Sequence, residues 1–232
     1  MATTRRAFLR SAAGAAVVIG IGSQVMVETA LAADRAEQGN SRPKGKPAAR
    51  SENGWFTDTA PNTGGTVWTR PVPGTEFDVD LAIGDAEIIL IHVIRRFHYE
   101  VDSLRPGDVT GFRPVAKSRG YKTNYASGTA VSIRPGTYPA GVKGGFFPHE
   151  LEVVRDILAD CDGVVKWGGD FATPDESHFQ IDLPPSDVRV RRLANKVRGW
   201  KESPGAGAGV IQDPRDSKRR EAAQKLAREQ AD

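Results

Sequence analysis

The sequence predicts an α+β domain in which a small, mostly antiparallel sheet packs with helices. Helical and strand-like segments occur in separate groups joined by tight turns, and this order favours an antiparallel sheet over alternating parallel units. The chain has 232 residues, of which 39% are apolar and 7% aromatic, enough for one packed core that 25 Gly and 15 Pro dilute. We therefore expect one domain with extensions at its ends.

The first elements are two short strands and a long helix. Strand-like runs lie at residues 66–68 and 76–79. From Asp85 to about residue 101, apolar side chains recur at helical spacing, which predicts a core helix with Asp85 as its N-cap.

Two more helices and four more strands complete the predicted domain. A helix is expected to begin at Pro148, because proline suits the first turn and acidic residues follow it. Another helix is expected over residues 186–200. The strand-like pieces lie at 109–113, 129–133, 164–167 and 177–181, and the last alternates with the two-residue period of a half-buried strand.

The first 32 residues have the pattern of an export signal. Arg5 and Arg6 precede an apolar run rich in Gly and Ala, and Ala30-Leu31-Ala32 offers a small-x-small cleavage site. This pattern resembles a twin-arginine signal, and its apolar run is shorter than the roughly 20 residues that span a bilayer. It predicts export by the twin-arginine route to the cell wall or the extracellular space, with membrane contact only during export.

The remaining segments divide by composition. Residues 33–54 are charged, contain Pro and Gly and lack apolar periodicity, so a disordered spacer is expected there. The folded domain is expected over 55–200. Residues 201–232 comprise a flexible Gly-rich linker and a charged segment, for which a solvated tail is favoured over a short helix.

Charge and cysteine content exclude several classes of function. The formal charge is +3, and three arginines against Glu28 place +2 of it in the export signal, which leaves +1 for the rest. This balance predicts no nucleic-acid partner. The single cysteine, Cys161, excludes an internal disulfide and a cysteine-rich zinc site. A monomer is expected.

One of the four histidines stands out. His92 and His98 lie in the first helix, and His149 begins a helix without the second histidine of the zinc-helix motif, so all three are expected to be structural. His178 lies in a polar cluster at the start of a strand whose alternate residues are apolar, and it is therefore the candidate for a ligand or catalytic role.

Four motifs follow one another along the chain: Phe112-Arg113-Pro114, residues 123–133 (TNYASGTAVSI), Trp167-Gly168-Gly169-Asp170, and Asp175-Glu176-Ser177-His178-Phe179. Together and in this order they resemble the zinc D-alanyl-D-alanine carboxypeptidase family, the VanY-like and endolysin-type peptidases, which are related in fold to the hedgehog signalling domain. The resemblance covers about residues 83–190 and implies a hedgehog/DD-peptidase-like fold.

The resemblance also implies roles for individual residues. In the family, two histidines and an aspartate hold zinc, and an open position holds the water that a carboxylate activates. By this resemblance His178 matches the third zinc ligand and Asp175 the general base. Glu176 is adjacent to that base and could orient it, and Arg113 matches the arginine that receives a substrate carboxylate.

The first two ligand positions depart from the family. Tyr125 replaces the family's histidine and Ser132 its aspartate, at the same separation along the chain. A phenol with a pKa near 10 is protonated at neutral pH and a serine hydroxyl is neutral, so both bind zinc poorly. We therefore expect no tightly bound cofactor.

The expected function follows from this substitution, and enzymatic activity stays open. We expect an exported cell-envelope pseudoenzyme that binds peptidoglycan stem peptides without hydrolysing them. One alternative is an active zinc metallopeptidase with an atypical metal site, in which Zn²⁺ is the cofactor and Asp175 the base. The other is a secreted scaffold with no ligand in the cleft.

Overall fold

The computed structural model describes residues 49–114, 119–203, 205–210 and 212–231, all within one compact unit, Pro47–Asp232. The predicted export signal (1–32) and most of the predicted spacer lie outside the described residues. The elements in chain order are β1 (Val67–Pro71), β2 (Asp78–Ala82), α1 (Asp85–Glu100), β3 (Val109–Thr110), a 3-10 turn (Gly120–Tyr125), β4 (Ala130–Ile133), α2 (Pro148–Asp160), β5 (Val165–Trp167), a second 3-10 turn (Gly168–Asp170), β6 (His178–Ile181), α3 (Val188–Glu202) and α4 (Ser217–Ala231).

The predicted α+β class is confirmed. Strands β1 and β2 form a hairpin, and the other four form a sheet in the order β3-β4-β6-β5, with every pair antiparallel. One face of this sheet joins α1, α2 and α3 in the core, through Val131, Ile133, Phe179 and Ile181. The opposite face carries the polar residues of β4 and β6. Four predicted elements recur with their ends shifted by at most two residues, namely β4, β5, β6 and α3, and helix α2 begins at the predicted Pro148.

Helix α1 forms where its apolar period predicts it, but its cap is different. Gly84, not Asp85, is the N-cap, with a φ of 96° that favours glycine. The backbone N–H of Gly84 donates to the Glu87 carboxylate at 3.3 Å, which satisfies one donor at the helix start. Asp85 is the first helical residue, and its carboxylate accepts from Arg198 at 2.8 Å.

Strand β3 is shorter than the five residues predicted at 109–113. The chain leaves the sheet after Thr110 because Gly111 packs against β2, where a Cβ atom would lie 2.2 Å from the Asp80 carbonyl oxygen. The Phe112 N–H then donates to that same oxygen at 2.9 Å. This detour carries Arg113 to Tyr125, whose carbonyl oxygen accepts from the Arg113 N–H at 3.4 Å.

The domain begins before residue 55, so the end of the predicted spacer is corrected. Ser51 and Asn53 are buried. The Asn53 amide donates to the Thr129 hydroxyl at 2.8 Å and to the Ile181 carbonyl at 2.7 Å, which ties it to two strands of the sheet. A sequence pattern could not reveal these bonds, because their partners lie far along the chain.

The charged C-terminal segment is a packed helix and not the solvated tail that was favoured. Helix α4 packs on α2, with Ala223 buried between them. Arg219 pairs with Asp156 at 2.6 Å and with Asp160 at 3.2 Å. These two carboxylates also bind the buried Arg96 of α1, so the set joins three helices. We call it the arginine cluster: Arg96, Glu100, Asp156, Asp160 and Arg219.

Among the residues that the structure describes, no helix has both the length and the apolar composition that a membrane crossing requires.

Candidate functional site

The site lies on the face of the sheet opposite the core. Because side chains alternate along a strand, Phe179 and Ile181 enter the core while His178 and Gln180 point to the other face. Ser132 of β4 is the Cα partner of His178. The alternation predicted for residues 177–181 therefore delivers the imidazole to this face.

A glycine turn brings the first 3-10 turn over the same face. Gly128 has a φ of 65°, and a Cβ atom on it would lie 2.5 Å from the backbone nitrogen of Ala82. Only glycine fits so close to the β1-β2 hairpin in this conformation. The turn sets the side chain of Tyr125 against β6.

Tyr125 and His178 form a buried hydrogen bond. The phenol oxygen lies 2.7 Å from His178 Nδ1, and the two residues are 2% and 0% exposed. His178 Nε2 lies 2.9 Å from the side-chain oxygen of Gln180. Since an amide oxygen only accepts, Nε2 carries the ring proton and Nδ1 accepts from the phenol.

The amide of Gln180 is itself fixed by two neighbours. Its oxygen also accepts from the Asn124 amide at 2.9 Å, and its nitrogen donates to Asp182 at 2.9 Å. These bonds determine which end of the amide faces the histidine, and so they fix the tautomer of the imidazole. We call this set the imidazole cluster: Asn124, Tyr125, Ser132, His178 and Gln180.

Burial keeps the imidazole and the phenol neutral. It lowers the pKa of His178 to about 4, although the Gln180 bond and the charge of Asp175 act in the opposite direction. Burial raises the pKa of Tyr125 to about 12, against the Ser132 hydroxyl and the Arg113 charge, which lower it. Both rings are uncharged between these two pKa values.

Asp175 lies beside the imidazole cluster and is held by hydroxyl groups. Ser177 donates to one carboxylate oxygen at 2.8 Å and Tyr121 to the other at 3.1 Å. The Ser132 and Ser177 hydroxyls are 2.8 Å apart, so a chain of hydrogen bonds runs from Ser132 to Tyr121. Burial and the charge of Asp175 raise the pKa of Tyr121, which therefore stays a donor.

Glu176 does not orient Asp175, and this expectation is corrected. Its carboxylate oxygens accept from the backbone N–H groups of Gly144 and Gly145 at 2.8 and 2.7 Å. Its carbonyl oxygen accepts from the Trp167 indole at 2.8 Å. Glu176 thus anchors the loop before α2, while Ser177 and Tyr121 hold Asp175.

Arg113 lies at the surface next to the imidazole cluster. Its guanidinium carbon is 4.3 Å from the centroid of the Tyr125 ring, within the range of a cation–π contact. In the described parts of the chain, no carboxylate pairs with Arg113. Its N–H donors are therefore available to a ligand.

The three positions that match the family's zinc ligands do not fit a zinc ion. Both nitrogens of His178 are engaged, Nδ1 with the phenol and Nε2 with the amide. The Tyr125 oxygen keeps its proton because its pKa is about 12, and Ser132 offers a neutral hydroxyl bound to Ser177. Zinc prefers thiolate, imidazole and carboxylate donors. Across the residues that the structure describes, no three His, Cys, Asp or Glu side chains are grouped as metal ligands.

A cleft of about 540 Å³ opens beside the imidazole cluster. Tyr121, Phe171 and Gln180 line its inner side. The rings of Tyr121 and Phe171 lie 4.7 and 5.7 Å from the His178 ring, centroid to centroid, and cover it. A ligand in this cleft would therefore contact the covering residues and not the imidazole itself.

Sequence reasoning missed the residues that surround the predicted ones. Gln180 could have been found, because it lies two residues after His178 and so shares its face of the strand. Asn124 precedes Tyr125 directly, but nothing in the sequence marks it. Tyr121 lies in the first 3-10 turn and Phe171 directly follows the second, and no local pattern gives the positions of these turns.

Comparisons of the chain with protein-family models, with curated proteins and with solved structures find no match. The resemblance to the carboxypeptidase family stays a prediction that rests on the four motifs and their order.

Proposed function

We propose that the chain is an exported cell-envelope protein whose domain is similar to the zinc D-alanyl-D-alanine carboxypeptidases in fold. In this proposal the domain binds peptidoglycan stem peptides without hydrolysing them. The observation that carries the proposal is the bond of 2.7 Å between the Tyr125 hydroxyl and His178 Nδ1. It joins two positions where the family has zinc ligands, and it engages the imidazole nitrogen with a proton donor.

The absence of hydrolysis follows from the donor atoms at the positions where the family has zinc ligands. Peptide hydrolysis by such a site requires a water made nucleophilic by a metal and a base. The neutral phenol and serine hydroxyl do not fit the metal. Asp175, the base expected from the resemblance, is 6% exposed and accepts from two hydroxyls. It is placed to stabilise the cluster.

In this proposal Arg113 is the group that binds the peptide's carboxylate. An exposed guanidinium without a carboxylate partner can bind a terminal carboxylate through two parallel hydrogen bonds. Its stacking on the Tyr125 ring limits its orientations, which reduces the entropy lost when a ligand binds. The cleft at Tyr121 and Phe171 offers aromatic surface for the body of a peptide.

The experiment compares binding and hydrolysis in the same preparation. The mature chain is titrated calorimetrically with a synthetic stem pentapeptide that ends in D-Ala-D-Ala, and release of D-alanine is followed with added zinc. We expect binding, no release, and about tenfold weaker binding in Arg113→Ala, a change of about 1.4 kcal/mol. Arg105→Ala is the control, because Arg105 is also exposed and its side chain forms no ion pair with the residues that the structure describes.

Two results would contradict the proposal. Zinc-dependent release of D-alanine that disappears in His178→Ala would establish the active metallopeptidase. Failure of the wild-type chain to bind either the pentapeptide or purified wall sacculi, with Arg113→Ala making no difference, would favour a scaffold with no ligand in the cleft.

A further inference from the structure

The cleft extends from the strand that carries His178 to the edge of the sheet. Strand β5 is the edge strand, and its Lys166 is the Cα partner of Gln180. Lys166 and Gln230 of helix α4 line the same cleft as Tyr121 and Phe171. Helix α4 therefore contributes to the cleft although it lies outside residues 83–190, which the resemblance covers.

Lys166 is a half-buried cation without a partner. Val165 and Trp167 on either side of it are buried in the core, so Lys166 points to the face of the cleft. In residues 49–114, 119–203, 205–210 and 212–231, no acceptor lies within hydrogen-bond or ion-pair distance of its ammonium group. An ammonium group has three donors, and a carboxylate is the ligand group that satisfies them best.

Gln230 supplies an acceptor without a donor. Its side-chain nitrogen donates to the Val165 carbonyl at 3.0 Å, which fixes the orientation of the amide. Its side-chain oxygen is buried and has no hydrogen-bond partner among the described residues. A buried acceptor without a donor is costly, so a ligand N–H at this point would gain the full value of the bond.

The other charges of the cleft are negative. Glu52 and Asp182 line it, whereas the carboxylate of Asp170 is already paired with Arg155. A cation and an unpartnered oxygen next to carboxylates suit a ligand group that carries both a positive and a negative charge. Lys166 would attract the negative part of such a group, and Glu52 and Asp182 would attract its positive part.

We propose that Lys166 and Gln230 form a second subsite, which takes a side chain that ends in an ammonium group and a carboxylate on the same carbon. The carboxylate would bind Lys166 and the ammonium group would donate to the Gln230 oxygen. This inference rests on the proposed function, which places a stem peptide in the cleft. It predicts preference for a stem peptide with diaminopimelate over one with lysine, whose side chain lacks the carboxylate.

The test is a calorimetric titration of the mature chain with two pentapeptides that differ only in diaminopimelate or lysine at the third residue. We expect the wild-type chain to prefer the diaminopimelate peptide by about tenfold. Lys166→Met should remove this preference without changing the affinity for the lysine peptide. Lys166→Arg should keep most of it, since the charge is retained. Lys218→Met is the matched control, because Lys218 is an exposed lysine of α4 that does not line the cleft.

The outcomes separate the subsite from the proposed function. Equal binding of both peptides to the wild-type chain would overturn the subsite and leave the proposed function intact. A preference that survives in Lys166→Met, with an unchanged melting temperature, would also overturn it. Binding of neither peptide would contradict the proposed function itself, and the subsite would fall with it.

Discussion

The arginine cluster and the imidazole cluster are both buried, and they are built in opposite ways. In the arginine cluster, Arg96 is 1% exposed and its guanidinium is surrounded by the carboxylates of Glu100, Asp156 and Asp160. In the imidazole cluster, the buried bond joins Tyr125 to His178, and both groups are neutral.

The difference shows which part of the domain depends on charge. Where helices α1, α2 and α4 meet, two guanidinium groups pair with three carboxylates, so stability there depends on ion pairs. At Tyr125 and His178, where the resemblance implies metal ligands, the hydrogen bond joins two neutral groups, and the buried carboxylate of Asp175 beside them accepts from hydroxyl groups. Removing one partner should therefore lower the free energy of unfolding most in the arginine cluster. A change of protonation should lower it most in the imidazole cluster.

The largest expected effect is that of Arg96→Met. It leaves the buried carboxylates of Glu100 and Asp156 and the half-buried one of Asp160 with Arg219 as their remaining cation. An uncompensated buried charge costs about 3 to 5 kcal/mol. Urea unfolding measures the free energy of unfolding of the wild-type chain and of each variant. Arg70→Met is the control, because the Arg70–Glu87 pair is partly exposed and such pairs contribute about 0 to 1 kcal/mol. Equal losses in both variants would contradict the contrast between the clusters.

The next effect is a dependence of stability on pH through His178. Its pKa is about 4 in the folded protein and about 6.5 in the unfolded chain, so the unfolded chain takes up the proton first. This group contributes on the order of 3 kcal/mol to the free energy of unfolding. The contribution is fully present above pH about 6.5, and it is lost as the pH falls from there to about 4.

Urea unfolding across this pH range tests the assignment. His178→Gln removes the titrating group, so its stability should fall less steeply between pH 6.5 and 4 than that of the wild-type chain. His149→Gln serves as the control, because His149 is exposed and its replacement should leave the slope as it is. Identical slopes for the wild-type chain and His178→Gln would show that His178 does not carry this dependence.

The smallest of the three effects is that of Tyr125→Phe. The substitution keeps the ring and removes the donor to His178 Nδ1, which leaves a buried acceptor unsatisfied at a cost of about 1 to 3 kcal/mol. Tyr99→Phe is the matched control, since Tyr99 is 43% exposed and a surface change of this kind stays within about 0.5 kcal/mol. A loss no larger than that of the control would mean that the bond contributes nothing to stability.

Periodicity predicted the elements that have one apolar face. Helix α1 and strand β6 were found because their apolar residues repeat at the helical and strand periods. Helix α4 was misjudged because its charges suggested solvent, whereas Arg219 meets Asp156 and Asp160 of α2. A local pattern does not record where the opposite charge will lie.

The site was predicted as a set of positions but not as a hydrogen-bond network. The resemblance singled out Tyr125, Ser132 and His178, and the structure brings them together across β4 and β6. The partners that fix them, above all Gln180, depend on which face and which register the strands adopt. Lys166 and Gln230 escaped notice because they meet only through the packing of α4 on the edge strand.

The central claim is that Tyr125 and Ser132 are what makes this site unfit for zinc. The most direct measurement is elemental analysis of the chain after dialysis against buffer containing zinc, for the wild-type chain and for the double variant Tyr125→His with Ser132→Asp. The account predicts one zinc per chain in the double variant, lost when His178→Ala is added, and none in the wild-type chain. Stoichiometric zinc in the wild-type chain, or none in the double variant, would contradict it.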